Sequence, residues 1–349
     1  MAPPPRATAE LAVSTAGCYL AALRLARSGP PRRMAFLVKL GVSLGLLALL
    51  VSTVDTAALW SVVARSSVWV LVGVVLSLVV LSLPQAWRWQ MVLRGQGHRL
   101  SFLRMWSMIM AGHFFNQTLP SSIGGDAIRM FEGSRAGLPS RSAVNSVLVD
   151  RFCGLVGLIA VATAGQPFLY RLIDDPVARL YMALVVAGGL ATAVLLVAAG
   201  LRLPGRLKWR PIRHLAAFFE DLGALVRQPQ RWLPVLVISI LVQLSLPVLV
   251  YALASSAGIV VSFGACLAVV PSVILLTVVP ISVGGWGVRE GAMVVGLGFV
   301  GVAASDALAI SLLFGASAIA AGIPGAAFWL VLRRSASRSQ TAAQPSILR

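Results

Sequence analysis

The chain alternates long apolar runs with short basic segments. A helix that crosses a bilayer needs about 20 mostly apolar residues at 1.5 Å rise each. Six stretches reach that length: Ala35–Val54, Ser66–Leu83, Ala143–Gly165, Leu180–Gly200, Trp232–Ser255 and Asp306–Leu332. Two further apolar stretches are interrupted. Phe102–Leu119 runs into Pro120-Ser121-Ser122-Ile123-Gly124-Gly125, and Val261–Val279 runs into Pro280-Ile281-Ser282-Val283-Gly284-Gly285 before the apolar pattern resumes at Val288–Val300. Residues 211–228 follow another pattern. Leu215, Phe218, Phe219, Leu222 and Leu225 recur at helical spacing among polar residues, which predicts an amphipathic helix on the cytoplasmic surface of the membrane.

Composition agrees. The chain is 58% hydrophobic and 11% charged, with a mean hydropathy of +0.89, whereas soluble domains carry about 25% charged residues. A soluble, disordered or disulfide-stapled chain is excluded. Lys plus Arg outnumber Asp plus Glu by 29 to 11, a formal charge of +18. Nucleic-acid binding would require a contiguous basic face. Here the arginines stand in short clusters beside apolar runs, so the expected partners are membrane lipids and not nucleic acid. Cys18, Cys153 and Cys266 lie far apart and match no metal or redox spacing; no cofactor or metal is expected.

Charge also sets sidedness. Arg24, Arg27, Arg32, Arg33 and Lys39 place the N-terminus in the cytoplasm, and Arg88, Arg94, Arg99 and Arg104 agree after two spans. If Phe102–Leu119 crossed fully, the loop with Arg202, Arg206, Lys208, Arg210 and Arg213 would lie outside. If it dips in and returns, that loop stays cytoplasmic. The expectation is therefore an all-α polytopic membrane protein with six spans and two Pro/Gly-broken re-entrant elements, entering from opposite faces as an inverted repeat. Eight plain spans are the alternative. Residues 1–33 read as a basic, poorly ordered leader, 34–332 as the transmembrane domain and 333–349 as a disordered tail. Both termini are expected in the cytoplasm, at a cell inner membrane.

The two interruptions repeat one another. Pro120, Ser122, Gly124, Gly125 and Arg129 match Pro280, Ser282, Gly284, Gly285 and Arg289, each pair 160 positions apart (280 − 120). Proline stops a helix and paired glycines permit a sharp turn. A helix starting just beyond points its free N–H groups and positive dipole end into the break. Arg129 and Arg289, one turn further, offer donor forks suited to phosphate. Broken helices paired across an internal repeat point to a transport site.

Intramembrane charges add to this. Asp150 and Arg151 lie inside Ala143–Gly165, and charged residues at such depth are functional candidates. Asp150 is expected to pair with Arg129 or Arg289, and Arg151 with Asp126 or Glu290. Three arginines then balance three carboxylates, in a neutral network able to trade a carboxylate for a lipid phosphate. A static ion-pair lock is the plainer reading. His113, Asn116 and Gln117 precede the first break and can hydrogen-bond a headgroup.

The motif from Gly112-His113-Phe114-Phe115-Asn116 through Gly124-Gly125-Asp126-Ala127-Ile128-Arg129 (112–129), then Val149-Asp150-Arg151, resembles the first signature of the lysylphosphatidylglycerol synthase transmembrane-region family. Pro280-Ile281-Ser282-Val283-Gly284-Gly285-Trp286-Gly287-Val288-Arg289-Glu290 (280–290) resembles its second. The resemblance implies a flippase-like membrane domain, and the chain's end at Arg349 implies one without the fused synthase domain. The function expected is translocation of an anionic or aminoacylated phospholipid, or glycolipid, headgroup. The alternative is a non-transporting membrane partner of a separately encoded lipid synthase or glycosyltransferase. No catalytic motif is present, so the chain is not expected to be an enzyme. The GxxxxGK[ST] phosphate loop is absent too, so movement would run down-gradient or be coupled to protons or membrane potential.

Overall fold

Val68–Gly95, Ser140–Leu172, Arg179–Arg202, Pro229–Ser256 and Ala304–Leu332 are each long and apolar enough to cross a membrane. They belong to a computed structural model that describes residues 41, 44–45, 48–50, 52, 55–118, 124–172, 175–202, 213–278 and 285–332. The expected leader and tail, much of Ala35–Val54, and Pro120, Ser122, Pro280, Ser282 and Gly284 lie outside the described residues. The described residues form twelve helices without a strand. The protein is a multi-pass, all-helical membrane protein.

The helices are α1 (Thr56–Arg65), α2 (Val68–Val80), α3 (Ser82–Gly95), α4 (Phe102–Thr118), α5 (Gly124–Arg135), α6 (Ser140–Leu172), α7 (Pro176–Arg202), α8 (Arg213–Val226), α9 (Pro229–Ser256), α10 (Phe263–Thr277), α11 (Val288–Gly298) and α12 (Ala304–Gly322). Leu81 separates α2 from α3. Pro84 cannot donate to the carbonyl one turn back, so the ladder breaks there and the apolar run bends instead of ending. This corrects the second expected span, Ser66–Leu83, which continues helically to Gly95.

Burial ranks the long helices. The apolar windows of α6 and of α12 with its continuation are 61% buried, against 11% for α2–α3 and α7. The first two form the axis of the bundle. The others show Trp69, Leu76, Leu184 and Leu195 outward, a face suited to hydrocarbon, since every helix satisfies its own backbone.

Each broken stretch is an antiparallel helical hairpin. In the first, Gly125 N–H donates to Asn116 Oδ1 at 2.8 Å, and a Cβ at Gly112 would lie 3.4 Å from the Arg129 side chain. Partners on α5 advance as those on α4 recede. A Cβ at Gly125 would collide with the Gly112 carbonyl, so the helices touch backbone to backbone. In the second hairpin, Gly285 faces Thr277, and Gly296, further along α11, lies on Val269, further back on α10.

The two helix pairs pack toward opposite ends of α6. Near the start of α6, His98, just before the first pair, bonds Ser142 at 2.9 Å. Near its end, Gly165 and Phe168 pack on Gly264, Leu267 and Ala268, where the second pair begins. About 35 Å of helix separates these levels. Along the other axial helix, Gly315 lies against Arg289 and Trp286, and Gly322 against His113 and Gln117. Those glycines are roughly 10 Å apart at 1.5 Å per residue. The described residues that flank the two breaks thus come close to one level of the bundle.

Small residues make these approaches close. A Cβ at Gly165 would lie 2.9 Å from the Ala268 Cα and collide with the Leu267 carbonyl, whereas one at Gly188 meets nothing within 4 Å. Gly165→Leu is expected to lower the melting temperature of the detergent-purified protein by several degrees, an overpacking cost of roughly 1–3 kcal/mol. Gly188→Leu should leave it unchanged. Equal midpoints for the two would refute this packing.

Candidate functional site

Asp150 and Arg151 are sequence neighbours, about 100° apart around a helix, and they turn to different partners. Asp150 is buried. Its Oδ1 accepts from Arg88 Nε at 2.8 Å and its Oδ2 from Arg129 Nη2 at 2.7 Å. One carboxylate thus joins α3, the first hairpin and α6. Arg88 reaches a fourth helix, α9, by donating to Ser239 Oγ at 3.2 Å. Arg129 lies 4.2 Å over the Trp89 ring and 3.5 Å from Asp126. Arg151 donates through Nε to both oxygens of Asp126 at 2.8 Å. Its side chain is 49% exposed, and among the described residues its terminal nitrogens have no partner.

The cluster is not neutral. Arg88, Arg129 and Arg151 face Asp126 and Asp150, leaving one positive charge. The expected balance of three against three fails because Arg289 and Glu290 both lie elsewhere and Arg88 joins. Arg88, read from sequence as a cytoplasmic loop residue, is 6% exposed inside α3.

The second break is closed on itself. Gly285 and Gly287 have φ of 82° and 85°, a left-handed conformation that costs glycine little. Glu290, fully buried, accepts from Gly287 N–H at 2.6 Å and from Arg289 Nε at 2.9 Å. The Arg289 guanidinium lies 4.8 Å from the Trp286 ring centroid. Neither Arg289 nor Glu290 meets Asp150 or Arg151.

Residues flanking both breaks line a cavity of about 900 Å³. Gln85, Arg88, Asn116, Gln117, Asp126 and Arg151 form a polar wall, with Asn145 and Gln243 beside it. Leu155, Leu158, Phe218, Val242, Leu246 and Ile274 form an apolar one. Thr277 and Gly285 bring the second hairpin's turn to the same space. Behind the polar wall, Gly112, His113, Arg129 and Asp150 line a recess of about 40 Å³, where His113 Nε2 and Arg129 Nε have no partner.

Of the expected site residues, Asn116, Asp126, Arg151 and Gly285 line the cavity; Arg129 and Asp150 sit just behind. Gly124 and Gly125 are buried where α5 begins, and Arg289 and Glu290 lie off the lining. Sequence reasoning missed Gln85, Arg88, Asn145 and Gln243. Asn145 and Gln243 carried a usable signal, being polar positions inside expected spans.

The amphipathic segment forms α8, which crosses the end of α7 at Gly200 and Gly223. Phe219, Leu222 and Leu225 are buried, while Leu215 and Phe218 line the cavity. Arg141 pairs with Glu220 at 2.6 Å. Asp221 accepts from Gln96 at 3.0 Å and Asn145 at 2.9 Å. Burial raises the Asp221 carboxyl above its ordinary value, beyond what the Asn145 and Gln96 hydrogen bonds and nearby Arg141 offset.

The model of the family described as lysylphosphatidylglycerol synthase TM region matches residues 36–325. No curated protein matches the chain.

Asp150→Ala would strand two buried guanidiniums, a cost of about 3–5 kcal/mol. It should lower the melting temperature far more than Asp126→Ala, whose partner Arg151 reaches the cavity; comparable losses would contradict the shared-carboxylate geometry. Asp221 gives a pH dependence. Its folded pKa lies above the unfolded one, so its contribution to holding α8 is present below the unfolded pKa. That contribution is lost as pH rises through the folded value. Hydrogen exchange of residues 213–226, corrected for intrinsic rate, should show protection declining over that rise and a flatter profile in Asp221→Asn. Parallel profiles would sink it.

Proposed function

We propose that this chain, which belongs to the lysylphosphatidylglycerol synthase TM-region family, carries the headgroup of an anionic membrane lipid across a cell inner membrane. The supporting observation is the cavity lined by residues that flank both breaks, where a singly positive arginine–aspartate cluster and apolar side chains share one lining. In a low-dielectric site an excess cation favours an anion, and a guanidinium fork suits a phosphodiester. Arg151, half exposed and with terminal nitrogens that have no partner among the described residues, is the first donor, and Arg88 the second. The apolar wall accommodates the upper acyl chains.

On this reading the hairpins are re-entrant from opposite leaflets, and α8 lies at the cytoplasmic face. Small rocking of one span–hairpin–span unit against the other opens the cavity alternately. Phosphate entering beside Arg151 binds its terminal nitrogens while Nε stays on Asp126, so the carboxylate remains engaged. Asp150 keeps Arg88 and Arg129 in place throughout. Residues with roles here are Arg151 and Arg88 as donors, Asp126 as the residue that orients Arg151, and Asn116 as the residue that holds the start of α5 to α4.

Reconstitution in proteoliposomes with fluorescent phosphatidylglycerol tests this through quencher-accessible fluorescence over time. Wild type should equilibrate the probe between leaflets. Arg151→Ala should slow the initial rate about tenfold, as expected for one lost charge-assisted bond. Arg65→Ala, at the exposed end of α1, should not. An unaltered rate in Arg151→Ala would discard the site. A wild type that never moves the probe would leave the chain as a membrane partner of a separate lipid enzyme.

A further inference from the structure

The polar wall carries more hydrogen-bonding capacity than a phosphate can use. Five amides face the cavity: Gln85 from α3, Asn116 and Gln117 from α4, Asn145 from α6 and Gln243 from α9. Each bond they make within the protein engages one end of the amide. Asn116 Oδ1 accepts from Gly125 N–H, leaving its NH2 group. Asn145 donates to Asp221 and Gln243 donates to the Gly154 carbonyl at 3.2 Å, leaving both carbonyl oxygens. Among the described residues Gln85 and Gln117 have no hydrogen-bond partner. The unused set therefore mixes acceptors (Asn145, Gln243, Gln85, Gln117) with donors (Asn116, Gln85, Gln117), gathered from four helices.

Such a mixture selects among headgroups. A phosphate or carboxylate oxygen accepts and does not donate; an ammonium donates and does not accept; a hydroxyl does both. Hydroxyls alone can satisfy neighbouring donors and acceptors without leaving desolvated groups unpaired. The charges point the same way. Among the described residues Asp126 is the one acidic residue lining the cavity, and both its oxygens already accept from Arg151. An ammonium there would meet a net positive wall without an available carboxylate.

We propose that the cavity selects a phosphodiester lipid with a neutral polyol or sugar headgroup, and discriminates against aminoacylated and other amine-bearing headgroups. This rests on the translocation reading above and names its substrate class. The phosphate lies against Arg151 and Arg88, and the hydroxyls reach the five amides.

The test is thermal stabilisation of the purified full chain in detergent, titrated separately with four lipids of identical acyl chains. These are phosphatidylinositol, phosphatidylglycerol, phosphatidic acid and lysylphosphatidylglycerol; free glycerol phosphate and inositol phosphate serve as soluble arms. The two polyol lipids should half-saturate at concentrations about tenfold below phosphatidic acid, a difference that one or two hydrogen bonds supply, and lysylphosphatidylglycerol should bind more weakly still. In the Gln85→Ala/Gln117→Ala double variant the polyol advantage should shrink toward unity. Equal affinity for phosphatidic acid and phosphatidylinositol, or a preference for the lysyl lipid, would overturn the proposal. Equal stabilisation by free inositol phosphate would support the headgroup chemistry and overturn the lipid as its source. Failure of the translocation reading looks different. In that case no lipid stabilises the chain, and none moves between leaflets in liposomes.

Discussion

A carboxylate taken out of water must be paired, and Asp150 is paired twice. Its two oxygens hold Arg88 from α3 and Arg129 from the first hairpin, while its backbone belongs to one of the two most buried spans. Neither arginine can leave without stranding a charge where solvation is poorest, so a single side chain fixes three elements relative to one another. Trp89 follows from the same anchor. Its ring supports Arg129 and its N–H bonds Ser146 one turn before Asp150 on α6. The remainder of the polar wall is arranged around this fixed point.

The two breaks share Gly, Gly and Arg yet differ electrostatically, because their acids sit in different places. Trp286 stands 160 positions after Asp126, and Glu290 stands 160 after Met130. In the second break the acid therefore follows its arginine directly and closes on it and on the Gly287 amide. In the first, the acid precedes the arginine by three and is left to reach Arg151 across the hairpin boundary. One break is thereby a neutral cap held within its own helix. The other is part of a charged cluster that opens onto the cavity.

Guanidiniums and amides from α3, α4, α6 and α9 share the cavity lining with aliphatic side chains from α6, α9 and α10. The α8 helix contributes Leu215 and Phe218 to that apolar lining while Asp221 and Glu220 bind it to α3 and α6. A change in the docking of α8 would therefore alter the cavity wall directly.

The alternation of apolar runs determined the long spans and the amphipathic helix α8. Burial of 20-residue apolar faces is a local, additive property of the chain. The pairing of Arg129 with Asp150 and of Arg151 with Asp126 was also within reach, since intramembrane charges have few alternatives. Charge counting misplaced Arg88, because a basic residue past the end of an apolar run reads as a loop until the helix is seen to continue through Pro84. It also joined Glu290 to the wrong network, since composition says how many charges there are and not which are neighbours. Only the folded arrangement decided that the two helix pairs pack toward opposite ends of α6 and that five amides from four helices share one space. Those contacts join residues up to about 160 positions apart, and their geometry is set by backbone approaches at glycines that no periodicity encodes.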